Sequence, residues 1–406
     1  MTALDATRKH ARNSLVVTPW SPYPLIFGGA IRIFYIIKML AEFSNVTLIT
    51  YKSYFGDDDP EPFLRTICSD VVIVDAKPIA DAKLRIRSTF SKRSFQYLSH
   101  YSPEMQQAID RVVASQQFDE VIYELSQMGV FDYSKANAPV VLDMANIEHE
   151  LIERRADVTS SPWKRWALHR EAHKFKVEEM AICDAANLIL VTSERERLIV
   201  RDIPGMPPVA TVANTVDPEF FDGSAARPVD NEIVFIGTTH VDANRDGVRW
   251  FANEILPLVE REIPGVRFKV VGGTPPDDIL ALASAPNIDV LGFVPDVRDH
   301  MATATALVVP LRSGGGTRLK IIEALSYGLP TVSTSLGAEG LDINHDHDIL
   351  IADNPADFAA EVVRVLRDPA LRARLIDNGR RLAHDEYSWR SVIPALRTAL
   401  ESIPPR

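Results

Sequence analysis

The 406-residue chain is 46% hydrophobic and 24% charged, and its formal net charge is −11. This length exceeds that of one ordinary core and predicts two domains of roughly 200 residues each. The acidic balance argues against general nucleic-acid binding, because duplex binders need a basic surface. Two cysteines, Cys68 and Cys183, are too few for a disulfide framework or a metal cluster, so we expect both to be reduced and buried.

The amino-terminal region gives no sign of export or membrane insertion. Residues 1–13 are polar and lack the apolar core of a signal peptide, which predicts a cytoplasmic protein. The most apolar stretch, Leu25 to Phe43, carries Arg32, Lys38 and Glu42. Three charges in that length exclude a spanning helix and predict an amphipathic helix on the surface.

Short apolar runs alternate with helix-length segments along nearly the whole chain. In the first half the candidate strands are Ser14–Pro19, Val46–Tyr51, Val71–Asp75, Glu120–Glu124, Val140–Asp143, Leu188–Thr192 and Val209–Val212. In the second half they are Ile233–Gly237, Phe268–Gly272, Ile288–Leu291, Leu307–Pro310, Thr331–Ser333 and Ile349–Ile351. This alternation predicts an α/β protein with two doubly wound parallel sheets. Ligands of such sheets bind beyond the carboxyl ends of the strands, so we expect the domains to face a central cleft that holds the active site.

Two motifs of the first half are weak signals by themselves. Gly28 and Gly29 follow the first candidate strand, where glycines let backbone amides approach a ligand; a plain turn is the alternative. Asp57 to Asp59 offers carboxylates, but it lies in a loop between Gly56 and Pro60, and we favour a solvated acidic turn. No other cluster has the spacing of metal ligands, so we expect no essential metal.

A basic and aromatic segment runs from Ala82 to Tyr101. It contains no acid, and its cations and aromatic residues are Lys83, Arg85, Arg87, Lys92 and Arg93 with Phe90, Phe95, Tyr97 and Tyr101. Such a stretch binds anionic lipid, forms a solvated helix face or contacts another subunit, and the sequence leaves these alternatives open. Trp163 and Trp166 also stand beside basic residues, and for them we expect burial by packing.

The most informative run lies between Ala306 and Ser333. An apolar strand is followed by a turn of three glycines, Gly314, Gly315 and Gly316. Thr317 is expected to cap a helix that ends at Gly328. Strand, glycine turn and helix N-terminus together aim backbone N–H groups at one point, which suits a phosphate.

The charges of this helix also favour an anion. Arg318 and Lys320 place two cations within the first turn, where the helix dipole favours acids, which indicates that an external anion completes the site. Glu323 is the only acid of the helix and shares a face with Lys320. A tight turn with a Lys320–Glu323 surface pair is the plainer alternative.

The run from Gly314 to Ala324 resembles the nucleotide-sugar site of retaining glycosyltransferases of family 4, which have the GT-B fold. It matches the branch with a GGGTRLKxxEA loop. In the commoner pattern with two glutamates, the first would fall at Gly315. Glu323 stands at the second position, which implies that it binds the ribose hydroxyls.

The resemblance implies both catalytic and donor-binding residues. The catalytic candidates are Arg318, Lys320 and Glu323. The donor-binding candidates are Gly28, Gly29, Gly237, Thr238, Phe293, Gly314, Gly315, Gly316, Thr317 and Leu319. Relatives of other branches place an arginine and a lysine after the first strand of the donor domain. Here that loop offers only Arg245, so Arg318 and Lys320 are the better candidates for neutralising a diphosphate.

The stretch from Asp143 to Glu150 resembles the acceptor-side loop of the family, in which a histidine lies near the reacting sugar. This chain has Ala145 at that position. Asn146 and Glu148 remain as acceptor-side candidates. We expect His149 to be an ordinary histidine on the helix surface.

The resemblance also gives domain limits and an activity. Residues 1–215 are expected to form the acceptor-side domain, residues 216–385 the nucleotide-sugar domain, and residues 386–406 a helix that returns to the first domain. We expect a metal-independent hexosyltransferase that moves a sugar, with retention, from a nucleotide-diphosphate sugar to a hydroxyl of a glycan or lipid-linked acceptor. Polysaccharide or cell-envelope glycan synthesis is the expected setting, and no cofactor beyond the nucleotide sugar is expected.

Two alternatives remain open at this point. A nucleotide-sugar epimerase of the same fold would need several ionisable groups in place of an acceptor groove. A catalytically silent protein that only binds nucleotide or glycan is the other alternative. If the acceptor is lipid-linked, residues 82–101 are expected to hold the protein at the inner membrane leaflet.

Overall fold

The computed structural model describes residues 10–52, 59–75, 82–157, 159 and 161–403. Contacts divide the chain into two units, residues 1–213 with 392–406 and residues 214–391. This division differs from the sequence-based limits because Val216 forms a parallel β-bridge with Ser388. Val216 N donates to Tyr387 O at 2.8 Å, and Trp389 N donates to Val216 O at 3.0 Å, so the segment around residue 388 belongs to the second unit.

The described part of the first unit contains a seven-stranded sheet. Its strands are β1 (Arg12–Thr18), β2 (Ser44–Tyr51), β3 (Asp70–Val74), β4 (Glu120–Glu124), β5 (Val140–Met144), β6 (Leu188–Val191) and β7 (Val209–Thr211). They lie in the order β3-β2-β1-β4-β5-β6-β7, and neighbouring strands are parallel. Consecutive residues of β1, Leu15 to Val17, are completely buried, as expected for a parallel sheet covered on both faces.

The helices of the first unit connect these strands. They are α1 (Gly28–Leu40), α2 (Glu61–Leu64), α3 (Ala82–Phe90), α4 (Phe95–His100), α5 (Pro103–Ser115), α6 (Glu148–Asp157), α7 (Pro162–Ala185) and α8 (Glu194–Arg201). Short 3₁₀ segments lie at Ser126–Val130 and Ser134–Ala136. Side-chain oxygens of Ser94, Ser102 and Ser193 accept backbone N–H bonds at the starts of α4, α5 and α8, which explains why these helices begin there.

The prediction that the apolar stretch around α1 lies on the surface is wrong. Every residue from Arg32 to Leu40 is buried. The Arg32 guanidinium donates to Asp143 and to Val212 O, and the Lys38 ammonium lies 5.6 Å from the centroid of the Tyr35 ring. These partners stabilise charged side chains inside the unit. The partners of Arg32 are far from it in the sequence, so local sequence patterns do not reveal them.

The second unit is built on another parallel sheet. Its described strands are β8 (Glu232–Ile236), β9 (Arg267–Val271), β10 (Ile288–Gly292), β11 (Ala306–Val309), β12 (Thr331–Ser333) and β13 (Leu350–Ile351), in the order β10-β9-β8-β11-β12-β13. Its helices are α9 (Asp242–Trp250), α10 (Leu256–Glu262), α11 (Asp277–Leu280), α12 (Arg298–Thr303), α13 (Leu319–Tyr327), α14 (Pro355–Arg367) and α15 (Pro369–Asp385). A π-helical turn, Phe251–Ile255, joins α9 to α10, and a 3₁₀ segment lies at Ala281–Ser284. The last helix, α16 (Trp389–Glu401), continues from the second unit into residues grouped with the first.

The predicted fold class is confirmed, because both units are doubly wound α/β structures. In each sheet the strand order reverses beside the first strand of the unit, between β1 and β4 and between β8 and β11. Ligands of open α/β sheets bind outside the carboxyl ends of the strands at such points. Both cysteines are buried and free, as expected. Among the described residues, no helix combines the length and apolarity needed to cross a bilayer.

Candidate active site

The glycine loop after β11 lies at the point where the second sheet reverses its order. Gly314 and Gly316 have φ angles of +105° and +73°, a left-handed backbone that glycine adopts without strain. The prediction that Thr317 caps the helix is wrong. Arg318 is the N-cap residue of α13, and the Thr317 hydroxyl instead accepts a hydrogen bond from Asn214 Nδ2.

Lys320 lies where three elements of the second unit converge. Its Nζ donates to Asn244 Oδ1 of α9 at 3.2 Å and lies 4.4 Å from the centroid of the Phe235 ring of β8. A Cβ atom at Gly237, just after β8, would lie 2.5 Å from the same Nζ. A side chain at this position would therefore displace the Lys320 ammonium, and Asn244 is itself held by its 2.9 Å bond from Nδ2 to Thr238 O.

Two titratable groups of this site, Lys320 and Glu323, have strongly shifted pKa values. Burial and, to a smaller extent, the Arg318 charge lower the pKa of Lys320 to about 7, while the Glu323 charge opposes the shift. Burial also raises the pKa of Glu323 to about 7, opposed by the Lys320 charge. The first turn of α13 contains no acid. An anion bound here would restore the charged form of Lys320, so the site is suited to a phosphate group.

Arg318 is folded over the glycine turn. Its Nη1 donates to Gly315 O at 2.5 Å, and a Cβ atom at Gly314 would lie 2.9 Å from its Nη2. The guanidinium and the loop backbone therefore hold each other in place. As a result, the Arg318 guanidinium has a fixed orientation at the amino end of α13, where it is the second cation beside Lys320.

Two other arginines near the loop have carboxylate partners. Arg312 forms a 2.7 Å ion pair with Asp246, and Arg245 forms one of 2.7 Å with Asp278. Their charges are already neutralised by these acids. The binding of a diphosphate by Arg318 and Lys320 remains a prediction.

The other donor-side candidates follow the ends of β8, β10 and β11. Thr238 directly follows Gly237, and Phe293 follows Gly292, whose φ is +69°. The Phe293 ring is 70% exposed, which leaves its face open to a planar ligand group. Leu319 is buried, so only its backbone N–H is suited to binding a ligand. The structure thus gathers these residues at one edge of the sheet, and their roles remain predictions.

In the first unit, Gly28 and Gly29 form the first turn of α1 rather than a loop before it. Phe27 is the N-cap residue, with no hydrogen bond from its side chain. A Cβ atom at Gly29 would lie 2.9 Å from Cζ2 of Trp20. The close approach of this indole explains a glycine here on structural grounds alone, so donor binding by Gly28 and Gly29 stays a prediction.

The acceptor-side candidates lie after β5. Asn146 Nδ2 donates to Glu148 Oε1 at 3.3 Å. Burial raises the pKa of Glu148 to about 7, and the Glu179 charge adds to the shift. Glu148 can therefore gain or lose a proton near neutral pH, which suits a group that binds a hydroxyl.

The prediction of His149 as a surface residue is wrong. His149 is buried, and its Nδ1 lies 2.6 Å from Oε2 of Glu179 on α7. Glu179 also accepts bonds from Ser126 Oγ at 2.8 Å and from the backbone N–H of Glu148 at 3.1 Å. One buried carboxylate thus joins the ends of β4 and β5 to α7.

A second buried cluster lies beside it. The Arg32–Asp143 ion pair is almost fully buried, and Glu124 at the end of β4 is completely buried. Burial and the neighbouring Asp143 charge raise the pKa of Glu124 well above its usual range. The sequence did not predict Glu124 or Glu179 as residues near the candidate site. The position of Glu124 at the end of a buried strand could have predicted its place in the site. No local sequence pattern distinguishes Glu179 from the other residues of its helix.

The possible metal motif falls largely outside the described residues. Asp57 and Asp58 are not described, while Asp59 accepts a hydrogen bond from the N–H of Glu61 at 3.0 Å. Across the described ranges, no group of three or more histidines, cysteines and acids is arranged to hold a metal ion. Metal independence remains a prediction.

Comparison with known proteins bears on the second unit directly. Residues 230–368 match the family model described as Glycosyl transferases group 1. The matched range covers most of the second unit. It contains the loop after β8, the glycine loop and all of α13, so the candidate donor site lies inside the part of the chain that is similar to group 1 glycosyltransferases.

Relatives and solved structures extend the similarity beyond that range. The MMP alpha-(1->4)-mannosyltransferase of Mycolicibacterium hassiacum is 26% identical over 302 residues, 70% of each chain. Sucrose-phosphate synthase from Thermosynechococcus elongatus superimposes with a TM-score of 0.72 at 16% identity, covering 96% of this chain and 98% of that one. Anabaena HepE in complex with UDP and glucose gives a TM-score of 0.66 at 13% identity, covering 96% and 99%. Together they show that the chain has the GT-B fold.

Proposed function

We propose that this protein is a retaining glycosyltransferase of the family 4 type. It transfers a sugar from a nucleotide-diphosphate sugar to a hydroxyl of a glycan or lipid-linked acceptor, in polysaccharide or cell-envelope glycan synthesis. The position of Lys320 carries the proposal: a buried cation with a lowered pKa lies at the amino end of α13, beside Arg318 and a glycine turn. The similar mannosyltransferase and the UDP complex of HepE support a sugar nucleotide as donor.

The chemistry requires a diphosphate to leave the anomeric carbon. The bond from that carbon to the phosphate oxygen breaks, the acceptor oxygen bonds to the same face, and the acceptor proton passes to the departing phosphate. Negative charge develops on the leaving group, so preorganised cations and backbone N–H groups accelerate the step. One such donor typically contributes ~3–4 kcal/mol. Arg318 and Lys320 would supply this stabilisation, and Glu323 would hold the ribose.

The acceptor side is proposed from the residues after β5. Asn146 and Glu148 lie within hydrogen-bonding distance of each other and would bind an acceptor hydroxyl. Because Ala145 replaces the histidine of similar enzymes, the sugar would rely on these two side chains for contacts from this loop. No cofactor beyond the nucleotide sugar is part of the proposal, and a cytoplasmic site of action is proposed with it.

The acids of the first unit keep an epimerase of the same fold as the second candidate. Glu148 has a pKa of about 7, Glu124 is buried at the end of β4, and Glu179 is buried on α7. An epimerase uses such ionisable groups to move protons on the donor sugar itself. A silent nucleotide-binding protein would instead show affinity without turnover.

One experiment separates the three functions. The protein is incubated with a panel of nucleotide sugars, with and without polysaccharide or lipid-linked acceptors, and products are identified by NMR. Transfer with an unchanged anomeric configuration supports the proposal, and inversion contradicts retention. A donor converted to its epimer without acceptor indicates an epimerase. Binding of a nucleoside diphosphate without any product indicates a silent protein.

A further inference from the structure

Helix α7 exposes two tryptophans near its amino end. Trp163 is 81% exposed and Trp166 is 54% exposed, so the prediction that they are buried by packing is wrong. No residue from Pro162 to Glu171 is buried, and burial on this helix begins at Ala172. The first turns of α7 therefore present large apolar side chains to solvent without covering a core. Single exposed apolar residues are common, but paired exposed tryptophans mark a contact surface.

The exposed apolar residues of α7 lie on one helical face. Trp163, Trp166, Arg170 and Val177 are spaced by three, four and seven residues, which brings them to the same side. Val177 is 61% exposed, and the Arg170 guanidinium lies 5.7 Å from the centroid of the Trp166 ring. This face is opposite the one that buries Phe175 and Glu179 against the unit. We call it the tryptophan face.

A second exposed apolar group lies on the adjoining helix α3. Ile86 and Phe90 are one turn apart and are 63% and 86% exposed. The two helices are joined by a 2.6 Å bond from Lys174 Nζ of α7 to Ser88 O of α3. The exposed apolar residues of α3 and the tryptophan face thus belong to neighbouring helices of one unit.

Cations surround these apolar residues. The exposed lysines and arginines in the described part of the two helices and the α3–α4 turn are Arg87, Lys92, Arg93, Lys164, Arg165, Arg170 and Lys176. The side chains of Lys83 and Arg85, also expected to contribute, lie outside the described residues. The nearby acids Glu171 and Glu178 accept backbone N–H bonds from Phe95 and Ser94, so they are turned toward the protein. The surface is therefore basic in a chain whose net charge is −11.

We propose that the tryptophan face of α7, together with Ile86 and Phe90 of α3, docks the protein on an anionic lipid bilayer. Tryptophan is the side chain that most favours the boundary between headgroups and acyl chains, because its ring is amphipathic. Lysine and arginine beside it bind the anionic headgroups. The surrounding cations select an anionic surface over a neutral one. This surface shares no residue with the glycine loop, so failure of the docking proposal and failure of the proposed sugar transfer are distinguishable by experiment.

The test uses the full chain and vesicles of two compositions, phosphatidylcholine alone and phosphatidylcholine with phosphatidylglycerol. The wild-type protein should sediment with the anionic vesicles only, with weaker binding as salt is raised. Its tryptophan emission should shift to shorter wavelength, since Trp163 and Trp166 are the exposed tryptophans, while Trp250 and Trp389 are buried already and Trp20 is half-buried. Trp163→Ala/Trp166→Ala should lose the shift and bind roughly tenfold more weakly. Lys164→Gln/Arg170→Gln should bind more weakly, by about fivefold per charge.

Matched variants make the result interpretable. Val229→Ala/Leu280→Ala removes apolar side chains that are 51% and 48% exposed in the other unit, and it should bind vesicles like the wild type. Ile86→Ala/Phe90→Ala tests the second helix without touching α7 and should also weaken binding. Circular dichroism confirms that each variant is folded.

Three results would overturn the proposal. The first is equal binding of the wild type to both vesicle types, or to neither. The second is full anionic binding by the tryptophan variant. The third is a wild-type oligomer that ignores vesicles and dissociates in that variant, which would show an interface between copies of the chain.

Discussion

Glu179 of α7 binds His149 of α6 through a 2.6 Å contact between Oε2 and Nδ1, and both side chains are buried. The same carboxylate accepts the backbone N–H groups of Glu148 and His149 at 3.1 and 3.2 Å. The start of α6, which carries the acceptor-side candidates, is therefore fixed by a residue thirty positions further along the chain. A single acid sets the orientation of this loop.

Glu179→Ala should destabilise the first unit by about 3 kcal/mol, because it removes the acceptor for several buried donors at once. Urea unfolding monitored by circular dichroism measures the change. Lys176→Ala, an exposed residue of the same helix, is the matched control and should change stability by no more than about 0.5 kcal/mol. A loss for Glu179→Ala that is as small as the control would show that the contacts of this carboxylate are not required.

Lys320→Ala should lower kcat/KM by a few hundredfold, corresponding to the loss of one donor to the leaving group at ~3–4 kcal/mol. Arg312→Gln changes a cation on the same loop whose charge is paired with Asp246, and it should leave turnover within about threefold of the wild type. Steady-state kinetics on both variants provides the comparison. A loss under threefold for Lys320→Ala would remove this lysine from the mechanism.

The pH dependence of kcat/KM should be bell-shaped around neutrality. The pKa of Lys320 is about 7, so its positive charge is lost as pH rises through 7. The pKa of Glu323 is also about 7, so its negative charge is lost as pH falls through 7. Since kcat/KM reports the free enzyme, both limbs should be visible between about pH 5 and 9.

Two substitutions assign the limbs of this profile. Lys320→Arg keeps a positive charge throughout this range and should abolish the alkaline limb, even where activity is reduced. Glu323→Gln should abolish the acid limb. An alkaline limb that survives in Lys320→Arg would assign it to a different group.

Gly314→Ala should weaken binding of a nucleoside diphosphate about tenfold, because the new Cβ lies 2.9 Å from Nη2 of Arg318 and φ is +105°. Gly265→Ala is the matched control, since Gly265 also has a left-handed φ of +83° but no atom within 4 Å of the added Cβ. Isothermal titration calorimetry on both variants separates backbone strain from displacement of Arg318. Equal affinity in the two variants would contradict the role given to Arg318.

Activity should survive treatment with EDTA, since cations of the protein are proposed to replace a metal at the diphosphate. Initial rates before and after chelation, with subsequent addition of Mg²⁺ or Mn²⁺, test this. Abolition by EDTA with recovery in either metal would return residues 57–59 to consideration as ligands.

The strands of both units could be read from the sequence because buried runs rich in valine and isoleucine are bounded by turn residues. Glu120–Glu124 and Thr331–Ser333 agree with the structure to the residue. The stop of α13 was equally local, since Gly328 has the left-handed backbone that ends a helix. Periodicity and glycine chemistry are properties of short segments, so the chain reveals them.

Most of the wrong predictions arise from contacts between segments that are far apart in the sequence. His149 was assigned to the surface because its partner Glu179 lies on another helix, and Arg32 was misplaced because its partner Asp143 is 111 residues away. Thr317 was expected to cap α13, but its hydroxyl binds Asn214 in the segment that begins the second unit. Trp163 is the opposite case. Its local composition predicts burial, but no other segment packs over it and the side chain is exposed.

The pairing of Val216 with Ser388 has a consequence for how the chain can be divided. In chain topology the second unit is an insertion into the first. Its first and last residues lie close together, an arrangement that tolerates excision and domain exchange. The first unit is discontinuous, because Leu396 and Leu400 of α16 are buried with it and the Arg397 guanidinium lies 4.8 Å from the Phe43 ring. A gene fragment ending at codon 213 would thus encode an unfinished domain, whereas one covering codons 214–391 would encode a piece whose two ends are tied together by backbone hydrogen bonds.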